Sequence, residues 1–295
     1  MSKLLRANFA RLWKSKVFWI CIIFMAGLDI YFIHMDGERF KMLMIRQSFF
    51  SCNTFGVIAG AVFTGIFIGT EYGDGTIRNK LAVGHSRFEV YFANFITCMT
   101  ACLIMYFVWI IIQLFSGAYS LINEENVYFP AGRIPILLFC SLAALVAQTA
   151  ISLFISMLVH KRLAGVATVI IATIASLFIA QGIQERLEVP EYYGGTLIHT
   201  DDNGEEHVEY DSDTRNPRYL AGTKRKIYES AYHILPFCQL FQIAQLDYYY
   251  YSVNFNESGH ENPLEHTELF PVYSICIFMA VSGGGIFLFR KKDIK

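Results

Sequence analysis

The sequence predicts an all-α integral membrane protein with six transmembrane helices, an N-terminal interfacial helix, a short cytoplasmic helix and a large extracellular region before the last span. Three observations carry that prediction. The 295 residues are 54% hydrophobic and only 17% charged, and their mean hydropathy of +0.39 is high for a soluble domain. Six windows are apolar over lengths near the roughly 20 residues that cross a bilayer core. A backbone open to lipid would leave amide and carbonyl groups unpaired, so each window must be helical.

The windows are 17–33, 50–69, 90–115, 134–159, 163–181 and 272–289. The seven cysteines, Cys21, Cys52, Cys98, Cys102, Cys140, Cys238 and Cys276, are odd in number and mostly lie inside apolar windows. They contain no C-x-x-C pair and read as small buried hydrophobes, not as a zinc or disulfide framework. The first apolar run follows a basic stretch and precedes no small-residue cleavage site, so no cleavable signal peptide is expected.

An even number of spans puts both termini on one side. That side carries Lys3, Arg6, Arg11, Lys14, Lys16, Arg78, Lys80, Arg87, Lys161, Arg162, Arg290, Lys291, Lys292 and Lys295, which is 14 of the 24 Lys and Arg. It carries only four of the 25 acids, Glu71, Asp74, Glu89 and Asp293. Basic residues close to span ends mark the cytoplasmic side. The chain is therefore expected to be multi-pass with both termini in the cytoplasm.

The chain divides into residues 1–16, an interfacial helix; 17–181, five spans with a cytoplasmic insert at 74–84; 182–271, an outer region; and 272–295, the last span and a basic tail. In the first part Leu5, Phe9, Leu12 and Trp13 recur at helical spacing, with Lys3, Arg6, Arg11 and Lys14 elsewhere on the wheel. This pattern suits a helix lying in the headgroup layer. In the outer region, 199–222 is polar and acidic and reads as an exposed loop or a small hairpin. Residues 227–246 are apolar but broken by Pro236, which argues against a seventh span and for short helices that dip part-way into the outer leaflet, followed by the tyrosine run 248–251.

The insert after the second span reads GTEYGDGTIRNKLAVGHSR. Asp74 is placed to N-cap a short helix over 75–83, and Gly84 to end it. Ser86 and Glu89 then have the spacing of a capping box opening the third span. The short helix carries Ile77, Leu81 and Val83 with Arg78 and Lys80, a mixed apolar and basic surface suited to contact with a cytoplasmic partner.

An apolar span ending in Gly-x-Glu-Tyr, followed by x-x-Gly-Thr-Ile-Arg-x-x-Leu, Ser-Arg and a new span, resembles the permease subunits of the type-2 ABC exporter family. The specific motif covers about twenty residues; six spans, an N-terminal interfacial helix and a large loop before the last span extend the likeness in architecture. The resemblance implies that Glu71, Asp74, Gly75, Thr76, Ile77, Arg78, Lys80 and Leu81 form the hinge and coupling helix that docks on a separate ATPase subunit. It implies two permeases with two ATPases, and short outer helices acting as a gate, here around Pro236, Phe237 and Phe241. The acidic outer loop is longer than in compact members of that family. No G-x-x-x-x-G-K-[ST] occurs in the chain, so ATP and Mg are expected on the partner and no cofactor on this chain.

Within the second span, Gly56 with Gly60 and Gly65 with Gly69 form G-x-x-x-G pairs, suited to close helix packing within the subunit or across a dimer. The Gly-rich run 282–285 has the same ambiguity with more local freedom. Asp29 near the outer end of the first span reads as a wetted interfacial carboxylate, with proton or cation coupling as the sharper alternative. Gln113, Gln148 and Gln181 read as interhelical hydrogen bonds. His199 and His207 with Asp201, Asp202, Glu205 and Glu206 could ligate a divalent cation, but without fixed spacing a solvated loop is the expectation, as it is for His260 and His266.

An intramembrane hydrolase is disfavoured because the chain has neither G-x-S-x-G nor H-E-x-x-H and its spans hold no histidine. A non-transporting peptide-binding or immunity protein is opposed only by the coupling-helix pattern. By that resemblance the resulting expectation is a non-catalytic exporter subunit of the bacterial cell membrane, homodimeric or paired with a similar permease, in contact with lipid and with no nucleic-acid partner. An acidic, aromatic outer face and spans rich in Phe and Met suit an amphipathic or cationic peptide; within the family this most resembles the exporters of phenol-soluble modulins or those conferring bacteriocin immunity. Small hydrophobic drugs and sodium are the alternative cargoes.

Overall fold

The computed structural model describes residues 1–34, 49–115, 134–159, 161–192, 195–200, 206–211, 215–245 and 267–291. These form α1 (Ser2–Lys14), α2 (Lys16–His34), α3 (Cys52–Gly73), α4 (Thr76–Ala82), α5 (Arg87–Phe115), α6 (Ile134–Leu158) and α7 (Arg162–Leu187). A hairpin of β1 (Gly195–Thr200) and β2 (Glu206–Asp211) follows, then α8 (Gly222–Ile234), α9 (Pro236–Ala244), a single 3-10 turn and α10 (Phe270–Lys291). Six helices, α2, α3, α5, α6, α7 and α10 with its leading turn, are long and apolar enough to cross a membrane. They match the six windows, so a multi-pass membrane protein is what the sequence encodes.

The centre of the bundle is α3, which packs against α2, α5, α6, α7 and α9. Most of its apolar window is buried, whereas α2, α7 and α10 turn most of theirs outward. Large side chains there stand clear of the protein, including Ile23 at 69%, Ile171 at 67% and Met279 at 58% exposure. Such a belt is stable only against lipid or another apolar chain.

The glycines of α3 serve this packing inside the chain. A Cβ at Gly65 would lie 3.3 Å from the Val166 Cα, and one at Gly69 3.1 Å from the Arg162 carbonyl oxygen, both on α7. Gly60 sits against Cys102 of α5 and Gly56 against Met25 of α2. Both G-x-x-x-G pairs are thus taken up within the subunit, and the dimer-seam alternative loses these glycines. In the 282–285 run only Gly285 is closely packed, against Tyr91.

Two helices run further than predicted. The second span does not stop at Gly69 but continues to Gly73, because nothing breaks it before the Gly73-Asp74-Gly75 sequence and Glu71 finds full compensation in its last turn. The fifth extends from the expected Gln181 to Leu187. Its polar last turns bond along the helix, Gln181 Nε2 to Glu185 Oε1 and Gln184 Nε2 to Glu188 Oε1, both at 2.8 Å. Gln181 is therefore an intrahelical donor, a correction to its reading as an interhelical one. Gln113 does bond across helices, to Asp29. Asp29 itself is fully buried and not a wetted interfacial group.

At the other side of Pro236 the prediction of a broken segment holds, with a physical account. Proline has no N–H, so the last carbonyls of α8 lose their helical donors. Gln242 Nε2 donates to the Tyr232 carbonyl at 2.6 Å, and Gln239 Nε2 to the His233 carbonyl at 2.6 Å. Gln239 Oε1 accepts in turn from Ser274 Oγ of α10 at 2.7 Å. The resulting α9 packs among α3, α6, α7 and α10. Burial there pushes the Cys238 thiol up to about 12.

The acidic segment forms the hairpin alternative, antiparallel with His199 opposite His207. The tyrosines at 248–251, the acids 201, 202 and 205, and His260 and His266 lie outside the described residues.

Candidate functional site

The end of the bundle that carries α1, α4 and the close of α10 is the basic end. At this end the spans are tied to one another: Arg87 Nη1 of α5 donates to the Phe289 carbonyl of α10 at 2.6 Å, and Tyr72 Oη of α3 to the Met157 carbonyl of α6 at 2.9 Å. The Met1 amino group lies 3.3 Å from Glu89 Oε1.

Between α3 and α5 the chain builds a short surface helix from local rules. Gly75 adopts φ 66°, a left-handed geometry that disfavours other residues, and the turn it makes starts α4. Gly75 rather than Asp74 occupies the cap position, and no side-chain cap bond is made there, so the predicted capping role of Asp74 is not what opens the helix. The predicted stop is found. Gly84, at φ 99°, donates to the Leu81 carbonyl at 3.0 Å while His85 N–H reaches Lys80 at 3.2 Å, the paired bonds of a Schellman motif. The capping box forms in both directions: Glu89 N–H donates to Ser86 Oγ at 3.2 Å, and Ser86 N–H to Glu89 Oε2 at 3.1 Å.

Beneath α4 lies an ion-paired junction. Glu71, in the last turn of α3, is 0% exposed. Its Oε1 accepts from Arg11 Nη1 of α1 at 2.6 Å and from Lys80 Nζ of α4 in a short contact. Its Oε2 accepts from Asn94 Nδ2 of α5 at 2.6 Å. Asn8 of α1 closes the circuit, donating to Asn94 Oδ1 at 2.7 Å and accepting from Lys80 Nζ at 2.9 Å. Arg11 also donates to the Phe67 carbonyl at 3.0 Å and lies 3.7 Å above the Phe67 ring. Burial holds the Lys80 ammonium below its ordinary pKa, and the charge of Glu71 offsets only part of that fall. A buried carboxylate is tolerable only when both oxygens are satisfied by cations and hydrogen bonds, and here they are.

The junction joins four helices through one carboxylate. It also fixes which side of α4 faces inward: Ile77 is 1% exposed, Lys80 is engaged below, and Leu81 packs on the core. Arg78, Asn79, Ala82 and Val83 face out, Val83 at 81% exposure. Ile77 is therefore buried and Lys80 and Leu81 half-buried on the inward side of α4, with Glu71 an internal anchor below it. Thr76 opens the helix half-buried.

Sequence reasoning missed Arg11, Asn8 and Asn94. Asn94 carried a signal, being a polar residue inside an apolar window. Asn8 and Arg11 were masked by an amphipathic pattern that α1 satisfies only in part: Leu4, Asn8 and Leu12 are buried, while Trp13 is 51% exposed. The expected gate residues are not part of this junction. Pro236 and Phe241 are buried and Phe237 half-buried in α9, whose Leu240 clusters with Val57 of α3. Val57 precedes Glu71 by 14 residues, about 21 Å along the helix at about 1.5 Å per residue. Among the described residues no group of three or more His, Cys, Asp or Glu side chains converges.

Comparison of the chain with protein-family models, curated proteins and solved structures finds no match. Fold and site together define a multi-pass membrane protein whose surface helix is bonded into the bundle through a buried acid.

Proposed function

We propose that this chain is the transmembrane permease subunit of an ATP-driven exporter of the type-2 ABC kind, coupled through α4 to a separate ATPase. The observation that carries the proposal is the two-sidedness of α4: one face is tied through Lys80 and Glu71 to α1, α3 and α5, while Arg78, Asn79, Ala82 and Val83 are left outward. Force applied to the outward face would pass into three other helices through buried, short-range bonds. A helix serving only as a connection needs no such anchor.

In this reading the basic end is cytoplasmic, two ATPase copies hold ATP and Mg, and the catalytic step is theirs. A second permease completes the path, and the apolar outer faces of α2, α7 and α10 are divided between that copy and lipid. Pro236, Phe237 and Phe241 of α9 form the gate at the opposite end, and an amphipathic peptide is the cargo. The likeness of the 69–87 segment to that family supports this assignment alongside the geometry of α4.

The test is affinity purification of the chain from its native membrane in mild detergent, with co-purifying chains identified by mass spectrometry. A stoichiometric partner bearing a Walker A sequence is the expected result. Recovery of the chain alone, or with a peptide only, would favour a non-transporting binding or immunity protein. Arg78→Glu combined with Val83→Asp should abolish partner recovery while leaving the chain monodisperse, because neither residue is buried. Retention of the partner by that variant would remove α4 as the docking element.

A further inference from the structure

A second buried acid lies at the other end of the bundle and takes no part in the junction. Asp29 of α2 is 0% exposed. His34, the last residue of its helix, is five positions further on, so Asp29 lies roughly 7.5 Å inside the helix end at about 1.5 Å per residue. Gln113 of α5 donates its Nε2 to Asp29 Oδ1 in a short hydrogen bond. Asp29 Oδ2 is buried and has no hydrogen-bond partner.

Aromatic rings pack beside the pair. Phe32, one turn on from Asp29, lies 5.5 Å from Phe55 and 6.3 Å from Trp109, and Phe55 stacks on Trp109 at 5.9 Å. Trp109 is itself one turn before Gln113 and fully buried.

Among the described residues the titratable neighbours offer no compensating charge. Cys52 at the start of α3 is a titratable side chain near Asp29, and Tyr106 of α5 adjoins Cys52; a thiol and a phenol are both neutral at ordinary pH. On α2 itself, Cys21 is two turns away, and His34 is exposed with its ring bonded to the Ile30 carbonyl at 3.0 Å. None of the ion pairs among the described residues includes Asp29.

An ionised carboxylate held by one neutral amide and shielded from water is among the costliest arrangements a protein can carry. A cation must accompany it. A metal ion needs several oxygen ligands, whereas one unpartnered carboxylate oxygen is enough for a proton. We propose that Asp29 is a proton-binding site within the membrane bundle, with the proton on its carboxyl group and Gln113 holding the acid against α5. Parting of α2 from α5 at this end would wet the acid, which then ionises and gives its proton to water; closing takes one proton back.

The test is infrared spectroscopy of the full chain in nanodiscs of phosphatidylglycerol and phosphatidylethanolamine near neutral pH. The expected result is a carbonyl-stretch band of a protonated carboxylic acid. It should shift when the aspartate carboxyl carbons carry carbon-13, stay unmoved when glutamates are labelled, and vanish in Asp29→Asn. Absence of a label-sensitive aspartic acid band in the wild type overturns the proposal. A band that appears only after sodium is withdrawn overturns it in favour of a sodium site. The labelled wild type is read directly, so poor folding of Asp29→Asn does not blunt the test. The outcome is independent of whether an ATPase co-purifies.

Discussion

The two ends of the bundle hold their helices together by different chemistry. At the basic end a fully buried carboxylate gathers an arginine, a lysine and an asparagine from three other helices. At the opposite end the side-chain bonds between elements are carried mainly by amides: Gln113 to Asp29, Asn53 to Ser141, Gln239 to Ser274 and to the His233 carbonyl, and Gln242 to the Tyr232 carbonyl, with the Cys140 thiol on the Thr267 carbonyl beside them. Breaking a buried ion pair strands a charge, while parting amides that can rehydrate costs little once water enters. The basic end is therefore the more costly of the two to open, and the other is held by bonds that water can replace one at a time. That asymmetry suits a subunit driven at one end and opening at the other.

The largest effect expected is at Glu71. Glu71→Ala leaves Arg11 and Lys80 facing each other without their common anion, and removal of one partner from a buried pair costs about 3–5 kcal/mol. Glu71→Gln keeps the shape and one acceptor and should cost less. Six of the seven cysteines are buried, so thermal unfolding followed with a thiol-reactive dye in detergent reads the loss directly. A melting temperature unchanged in Glu71→Ala would break the claim that the basic end is locked by this carboxylate.

A smaller effect belongs to the opposite end. Gln242→Leu keeps the bulk but leaves the Tyr232 carbonyl without its donor, a loss of about 1–3 kcal/mol for a buried acceptor. It should act locally. The Cys238 thiol, buried in the same helix and raised to about 12, should react faster with a thiol reagent while the basic end keeps its protection. Equal loosening of both ends would mean that the bundle is a single cooperative unit.

Much of this architecture was legible because the bilayer imposes it. Runs of about 20 apolar residues have one structural solution in lipid, and all six were found within a few residues except where polar ends continued a helix, as in α7. Capping chemistry was legible too, since Gly84, Ser86 and Glu89 act through neighbours in sequence. What could not be read was which side of a helix faces inward. Ile77 and Arg78 are adjacent, and only the position of Glu71 and the core beneath decides that the first is buried and the second exposed. Arg11 and Glu71 are 60 residues apart, and nothing local marks their meeting.

The smallest effects separate two caps that look alike in sequence. Ser86 and Asp74 each precede a helix at the basic end, and both residue types favour the N-cap position. Only Ser86 makes the bond, to the Glu89 N–H; Asp74 makes none, because the left-handed turn at Gly75 already sets the start of α4. Ser86→Ala should therefore cost about 1 kcal/mol, and Asp74→Ala should stay within about 0.5 kcal/mol of the wild type, as a surface change away from any cap does. Melting temperatures of the two variants in the same detergent give the comparison. If Asp74→Ala proved the more damaging, Asp74 rather than Gly75 would be what starts the surface helix, and the rigid basic end would owe its entry turn to a carboxylate cap.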